Sequence, residues 1–294
     1  MLIKELKKRF LEDLSVWNDP METESMFYIV LQKLHHLKRI DLALQPDLKI
    51  SDLDTKRWEN IVAELQTQKP IQYILGETEF FGLLFQVNEN TLIPRQETEE
   101  LVDLILAQIK NKNLKNLKII DIGTGSGCIA ISLAKNSLDS NVFALDVSEK
   151  ALEIAKINAK QNRVEVHFIR EDILGIENLN DLEITALENE NAFDIIVSNP
   201  PYVRNLEKHE IRPNVLEFEP HLALFVDDTD ALLFYRKIGQ LAFRNLTENG
   251  RLFFEINQYL GLETKELLHK IGFNNVQLIK DIYGNDRIIY AMKN

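Results

Sequence analysis

From about residue 96 onward, short apolar runs alternate with amphipathic segments, and this alternation is the strongest constraint on the fold. The runs at 117–122 and 193–198 are mainly apolar, which is typical of strands buried on both faces of a sheet. Strands that alternate with helices in this way form a parallel sheet covered by helices on both sides. The pattern therefore predicts an α/β domain over residues 96–294.

The predicted elements of this domain follow one another in an order that allows few topologies. Helices are expected at 96–111, from 126, and at 148–161, 229–246 and 261–271. Strands are expected at 117–122, 141–145, 164–169, 193–198, 250–256, 274–281 and 286–292. Tyr283-Gly284-Asn285 is typical of a hairpin turn, so one of the last two strands should run antiparallel to the rest. We expect the strand at 193–198 to lie beside the strand at 117–122, at the switch point of the sheet.

Residues 1–75 have helical periodicity and contain no residues with evident chemistry. Apolar side chains recur at spacings of three and four, as in Leu2, Leu6 and Phe10, which predicts helices with one buried face. Ser51-Asp52-Leu53-Asp54 is typical of a helix start, with a capping residue and acids in the first turn.

A segment of different character connects the two parts. Residues 76–95 are rich in β-forming residues and predict a hairpin with strands near 79–87 and 91–94, joined at Asn88-Glu89-Asn90. The sequence thus predicts three regions, a helical domain over 1–75, a β-hairpin linker over 76–95 and the α/β domain over 96–294.

A glycine-rich loop, Gly123-Thr124-Gly125-Ser126-Gly127, follows the first strand of the α/β domain. Glycines at this place let the backbone approach a ligand, and the next helix offers free N–H groups. A dinucleotide fingerprint would have its third glycine at position 128, where this chain has Cys128. Asp121, two residues before the loop, would repel a pyrophosphate but would suit a ligand with a positive amine.

Two further positions indicate which ligand the loop would bind. Asp146 ends the second strand, about 20 residues after the loop, where a carboxylate can hold a ribose diol. Ile173, after the third strand, stands where an adenine would be held, although residues 171–173 could equally cap the strand. A ribose, a cationic end and no pyrophosphate together describe S-adenosyl-L-methionine (AdoMet). The alternative is a tight β–α turn that binds nothing.

The fourth strand ends on Asn199-Pro200-Pro201-Tyr202. Residues before proline are held extended, and neither proline has an N–H group. The loop therefore offers the Asn199 side-chain oxygen and a backbone carbonyl as acceptors, which suits a planar NH₂ group with two N–H donors. Tyr202 adds a flat ring that could stack on an amide or a base. The loop predicts methyl transfer to a conjugated NH₂; the alternative is a rigid proline turn.

Composition limits the remaining classes of function. A net charge of −12 disfavours a non-specific polyanion binder, which needs a strongly basic surface. A single cysteine, Cys128, excludes an internal disulfide, is consistent with a reducing cytoplasm, and with scattered histidines makes no metal-ligand set. The chain shows no apolar run of about 18 residues and no signal-peptide pattern. We therefore expect a cytoplasmic protein without a membrane partner or a bound metal.

The chain resembles the PrmC/HemK family of peptide-chain release factor glutamine methyltransferases over nearly its whole length. The resemblance is carried by PIQYILG (70–76), FFGLLFQV (80–87), LIPRQETEELV (92–102), DIGTGSG (121–127), SNPPY (198–202) and EPHLAL (219–224). It implies a Rossmann-like, class I AdoMet-dependent methyltransferase sheet with an N-terminal helical domain that docks the substrate. The implied reaction is N5-methylation of the glutamine in the Gly-Gly-Gln motif of release factors.

The resemblance also assigns roles to particular positions. It implies cofactor binding by Gly123, Thr124, Gly125, Ser126, Gly127, Asp146, Ile173 and Asn199, and substrate binding by Asn199, Pro200, Pro201 and Tyr202. Of these, Asn199, Pro200 and Tyr202 are the expected catalytic residues, and Arg95 and Glu97 should border the site. The chain departs from the family pattern at Gln96, where proline is usual, and at Asn257, where glycine is common.

Three other functions are compatible with parts of the pattern. Adenine or guanine amino-methyltransferases use the same loop, but they usually add a basic recognition region, which this acidic chain lacks. A non-catalytic scaffold would not need Asn199-Pro-Pro-Tyr, and a porphyrinogen-related redox role would need a flavin or cluster site. We therefore predict a monomer that acts on release factors and not directly on nucleic acid.

Overall fold

A computed structural model describes residues 1–17, 19–182 and 193–293, and the chain divides into two compact units. The first unit comprises residues 1–77 and 212–218, and the second comprises residues 78–211 and 219–294. In the part of the chain that the structure describes, no helix is both long and apolar enough to cross a membrane.

Helices and strands are numbered in chain order. The α-helices are α1 (Ile3–Leu14), α2 (Pro20–His35), α3 (Arg39–Leu44), α4 (Asp52–Gln66), α5 (Ile71–Leu75), α6 (Gln96–Asn111), α7 (Cys128–Asn136), α8 (Glu149–Asn162), α9 (Pro213–Phe218), α10 (His221–Leu224), α11 (Leu233–Asn245) and α12 (Gly261–Ile271). The strands are β1 (Glu77–Phe80), β2 (Leu83–Gln86), β3 (Lys118–Ile122), β4 (Asn141–Asp146), β5 (His167–Arg170), β6 (Phe193–Ser198), β7 (Val203–Arg204), β8 (Phe225–Val226), β9 (Leu246–Glu255), β10 (Asn274–Lys280) and β11 (Asp286–Met292).

The first unit is helical and packs around three aromatic side chains. Phe10, Phe27 and Trp58 are fully buried, with ring centroids 4.9 to 5.6 Å apart. As expected from the sequence, Ser51 caps α4, because its hydroxyl accepts the Asp54 N–H at 3.1 Å. Helix α2 ends at His35 because His36 adopts a left-handed conformation with φ of 56°.

The hairpin lies earlier in the chain than the sequence pattern predicts. Strands β1 and β2 pair across Phe81 and Gly82, which both have positive φ, at 50° and 69°. Two successive residues in the left-handed conformation form a two-residue turn whose twist matches that of the flanking strands. The predicted strand at 91–94 is wrong, because the Ile93 N–H donates to the Glu219 carboxylate instead of to a sheet.

The second unit contains a seven-stranded sheet in the order β10-β11-β9-β6-β3-β4-β5. Strand β11 runs antiparallel to β9 and β10, whereas β9, β6, β3, β4 and β5 are parallel to their neighbours within that set. The predicted α/β class, with a parallel sheet and one antiparallel strand, is confirmed. Strand β6 lies directly beside β3, as expected, and Ser198 is in register with Ile122.

Alternating side chains of the central strands pack into separate clusters. Ile120 of β3 and Ile196 of β6 belong to one cluster, together with residues of α11 and α12. Ile119 and Ile195 belong to the other, together with residues of α6 and α7. Since successive side chains of a strand point to opposite faces, both faces of the sheet are covered by helices. In open α/β sheets of this kind, ligands bind at the carboxyl ends of the strands.

Replacing Gly127 by alanine should lower the free energy of unfolding of the second unit by about 2–4 kcal/mol, through backbone strain and steric overlap. Gly127 has φ of +83°, and a Cβ there would lie 2.8 Å from Ile131 Cδ1 and 3.1 Å from Ala155 Cβ. Gly284 is the matched control, since its φ is +86° but no atom lies within 4 Å of an added Cβ. Urea denaturation should show a clearly smaller loss for Gly284→Ala; equal losses would contradict the packing role of Gly127.

Candidate active site

A cavity of about 260 Å³ lies at the carboxyl ends of β3, β4 and β6, within the second unit. Most of the predicted site residues line it, namely Gly123, Thr124, Gly125, Ser126, Asp146, Ile173, Asn199, Pro200 and Pro201. Further lining residues are Arg95, Thr98, Asp172, Leu174, Ser198, Pro220, Leu222, Ala223 and Phe234. Of the predicted residues, Gly127, Tyr202 and Glu97 are not part of the lining.

The glycine loop turns back over the end of β4. The N–H groups of Gly123 and Thr124 donate to the Leu145 carbonyl at 2.8 and 3.0 Å. Gly123 and Gly125 have φ of +78° and +56°, and a Cβ on either would meet no atom within 4 Å. These two glycines therefore leave open space beside the backbone in the cavity wall. Gly127 instead allows α7 to pack closely on α8.

Asp146 closes the loop from the neighbouring strand. Its Oδ2 accepts the Gly125 N–H at 2.8 Å, and its Oδ1 accepts the Ser148 N–H at 2.9 Å. Burial raises the pKa of Asp146, against the backbone hydrogen bonds from Ser148 and Gly125. Each carboxylate oxygen retains acceptor capacity beyond the one bond that it makes, so Asp146 can accept further hydroxyl donors from the cavity.

Asp121 is placed differently from the sequence-based expectation. Its side chain is fully buried and is not part of the cavity lining. Oδ2 accepts the Thr124 hydroxyl at 2.6 Å and the Ala130 N–H at 3.3 Å, so the carboxyl group ties the glycine loop to α7. Burial, with the nearby Asp146 charge as a smaller cause, raises the pKa of Asp121 to about 7. The expected contact with a ligand amine is therefore replaced by a role beneath the loop.

The Asn199 loop forms a second wall of the cavity. Asn199 Nδ2 donates to the Thr98 hydroxyl at 3.3 Å, and Thr98 donates to Glu255 Oε2 at 2.6 Å. The Tyr202 hydroxyl donates to Glu255 Oε1 at 3.0 Å, and its ring packs against the buried core of the sheet. Burial raises the pKa of Tyr202, so the hydroxyl stays protonated. In this arrangement Tyr202 supports the loop from behind, and the stacking predicted from sequence stays a prediction.

Several side chains that sequence reasoning left without a role hold this wall in place. The buried Glu219 accepts from Arg95 and from the Ile93 N–H at 3.2 Å, which anchors the segment that contributes Pro220 and Leu222 to the lining. Asn257, a departure from the family pattern, donates to the Tyr202 carbonyl at 3.0 Å. A charged residue at the end of an otherwise apolar strand is the signal that could have indicated Glu255.

The polar groups of the cavity do not form a metal site. Among residues 1–17, 19–182 and 193–293, no group of three or more His, Cys, Asp or Glu side chains is placed to hold a metal ion. Cys128 lines the cavity, but burial raises the pKa of its thiol to about 12, which keeps it protonated.

The sheet order, the glycine loop and the Asp146 carboxylate define a class I methyltransferase. Residues 96–217 match the model of the methyltransferase small domain, and residues 10–76 match that of the PrmC N-terminal domain. The 16S rRNA N2 G1207 methyltransferase of T. thermophilus, solved with AdoMet and guanosine, superposes with a TM-score of 0.50. It is 16% identical and covers 74% of this chain and 50% of its own, so it supports the fold alone.

Curated relatives identify the family. The chain is 61% identical to the release factor glutamine methyltransferase of Flavobacterium psychrophilum, over 98% of both chains. It is 42% identical to the release factor glutamine methyltransferase of Bacteroides thetaiotaomicron, over 92% of this chain and 93% of that one. The chain belongs to the family of release factor glutamine methyltransferases, as its motifs predict.

The raised pKa of Asp121 predicts how stability depends on pH. The pKa of Asp121 is about 7 in the folded protein and 3.8 in the unfolded chain. The stability that the protonated carboxyl group contributes is therefore complete below about pH 4 and is lost as the pH rises through 7. Asp121→Asn removes this dependence. From pH 5 to pH 8 the variant should gain about 3 kcal/mol in unfolding free energy relative to wild type. Urea denaturation of both proteins at the two pH values measures this; parallel pH profiles would contradict the assignment.

Proposed function

We propose that this protein transfers a methyl group from AdoMet to the side-chain nitrogen N5 of the glutamine in the Gly-Gly-Gln motif of release factors. The observation that carries the proposal is the Asn199-Pro200-Pro201 wall, which shares one cavity with the glycine loop and Asp146. The names of the curated relatives supply the substrate class.

The residues of the cavity fit AdoMet. We infer that the open backbone at Gly123 and Gly125 accommodates the methionine part, that Asp146 accepts the ribose hydroxyls, and that Ile173 flanks the adenine. Gly127, which is outside the lining, contributes through the packing of α7. When bound, AdoMet supplies an electrophilic methyl group on a positively charged sulfur.

The chain's own residues hold the acceptor nitrogen. A glutamine NH₂ is a weak nucleophile because its lone pair is delocalised over the amide. The Asn199 oxygen and a backbone carbonyl of the loop accept its two N–H bonds, and the prolines offer no competing donor. These acceptors favour the nitrogen as it gains positive charge and fix it in line for attack, and such orientation can contribute up to about 7–11 kcal/mol. The methylated nitrogen then loses its surplus proton to water, because an N-protonated amide is strongly acidic.

The remaining parts of the proposal concern partners and setting. We propose that residues 1–75 form the docking domain for the release factor, with residues 76–95 as linker and residues 96–294 as the methyltransferase domain. The net charge of −12 supports a protein substrate over nucleic acid. We further infer action in the cytoplasm, where release factors work, and a monomer, since docking a large substrate needs an accessible cavity.

Asn199→Ala should lower the rate of release factor methylation by about 100-fold or more, because the variant loses the side-chain acceptor for the glutamine NH₂. Its affinity for S-adenosylhomocysteine should stay within about threefold of wild type, since the loop and Asp146 remain. Transfer of labelled methyl groups from AdoMet and calorimetric binding of S-adenosylhomocysteine measure the two quantities.

Asn274→Ala is the matched control, because Asn274 is exposed on β10, away from the cavity. This variant should methylate at the wild-type rate. Near-wild-type turnover by Asn199→Ala would overturn the mechanism. Wild-type transfer to DNA or RNA, with none to a release factor, would overturn the proposed substrate.

A further inference from the structure

We propose that Thr98 and Glu255 are positioning residues that determine which end of the Asn199 amide faces the substrate. In this arrangement the amide nitrogen is held by Thr98, and the oxygen is left for the incoming NH₂ group. The inference rests on the proposed function, because it concerns the acceptor that holds the same glutamine nitrogen.

Strands β6 and β9 and helix α6 bring the three residues together. Strands β6 and β9 are parallel neighbours, with Ser198 in register with Phe254, so Asn199 and Glu255 leave the same edge one residue later. Thr98 lies in the first turn of α6, and its side chain meets both. Thr98 and Glu255 are only 2% and 1% exposed, so water does not compete for their hydrogen bonds.

The direction of each hydrogen bond follows from the chemistry of the groups. A carboxylate only accepts, and both oxygens of Glu255 face hydroxyl groups, from Thr98 at 2.6 Å and from Tyr202 at 3.0 Å. The Thr98 hydroxyl has one proton, and that proton is donated to Glu255. Toward Asn199 it can therefore only accept, so the side-chain atom 3.3 Å away must be the nitrogen Nδ2.

Neighbouring groups stabilise the negative charge of Glu255. Burial raises the pKa of Glu255, but the hydrogen bond from Thr98, the positive charge of Arg287 and the hydrogen bond from Tyr202 oppose this shift. The length of 2.6 Å between Thr98 Oγ1 and Glu255 Oε2 is in the range of a hydroxyl that donates to an ionised carboxylate. Although the net shift of the pKa is upward, this short hydrogen bond favours the ionised form, and an ionised carboxylate requires Thr98 to donate.

The other end of the Asn199 amide is free to act. Asn199 lines the cavity, and its Oδ1 has no hydrogen-bond partner among the residues that the structure describes. This oxygen is unpartnered but not buried, so it is accessible. An amide turned by 180° would present N–H donors to the N–H donors of the substrate, and the acceptor would be lost. Thr98 prevents this rotation.

The main experiment compares Thr98→Val with Thr98→Ser. Valine has nearly the same shape as threonine but no hydroxyl, whereas serine keeps the hydroxyl. We expect Thr98→Val to lower kcat for release factor methylation about tenfold and Thr98→Ser to stay within about twofold of wild type. S-adenosylhomocysteine affinity and Tm are measured for both variants to show that the cofactor site and the fold are retained.

Thr264→Val is the matched control for replacing a buried threonine. Thr264 is fully buried on α12, and its hydroxyl has no partner among the described residues, so its removal should leave kcat unchanged. If Thr98→Val and Thr98→Ser have the same kcat, the positioning role is refuted.

A double-mutant comparison tests whether Thr98 acts through Asn199. In an Asn199→Ala background, Thr98→Val should change the residual rate by less than about twofold, because the group to be oriented is gone. A further tenfold loss in that background would refute the inference. Failure of the wild-type protein to methylate any release factor would instead refute the proposed function, so the two failures can be told apart.

Glu255→Met provides a second variant if Thr98→Val does not fold. Methionine has a similar length but offers the Thr98 hydroxyl no carboxylate, so this hydroxyl becomes free to donate to Asn199 and to hold its oxygen instead of its nitrogen. We expect about a tenfold lower kcat with S-adenosylhomocysteine affinity retained. A wild-type kcat for Glu255→Met would count against the proposed hydrogen-bond direction.

Discussion

The position of β6 beside β3 is the constraint on which the rest of the site depends. The two strands are parallel and in register, so the glycine loop and the Asn199 loop leave the sheet at the same edge. The Ser198 hydroxyl donates to the Ile122 carbonyl at 2.6 Å, across 76 residues of sequence, and fixes the two strand ends to each other. A ligand held by one loop therefore lies next to whatever the other loop binds.

Buried carboxyl groups organise the backbone around this edge. Asp121 holds the glycine loop through Thr124, Glu255 holds the Asn199 wall through Thr98, and Glu219 holds Arg95 and the Ile93 N–H. Each acid is almost fully buried. The donors to Asp121 come from the loop and the helix that follow it, whereas those to Glu255 and Glu219 come from distant segments of the chain. A buried carboxyl group without partners is costly, so such groups restrict the loops around them to a narrow set of conformations. These three acids shape the cavity without being part of its lining.

The errors of sequence-based prediction at this site share one cause. Asp121 lies close to the glycine loop in sequence, which predicts a ligand contact, but its side chain is buried beneath the loop and is not part of the cavity lining. The sequence pattern predicts the hairpin turn at Asn88-Glu89-Asn90, whereas a left-handed conformation at Phe81 allows the earlier turn. Neither the direction of a buried side chain nor an unusual φ at a bulky residue can be read from residue type.

Local patterns in the sequence are enough to predict the class of fold, the order of its main elements and the two loops that line the cavity. These properties depend on local periodicity and on glycine and proline, whose conformational limits are intrinsic to the residues. The folded chain was needed to show which acids lie beneath the loops and that Thr98, Glu255 and Asn199 form one hydrogen-bonded chain. These contacts join residues 101 and 157 positions apart. The register of β6 and β9 and the packing of α6 against β9, which no local pattern encodes, bring them together.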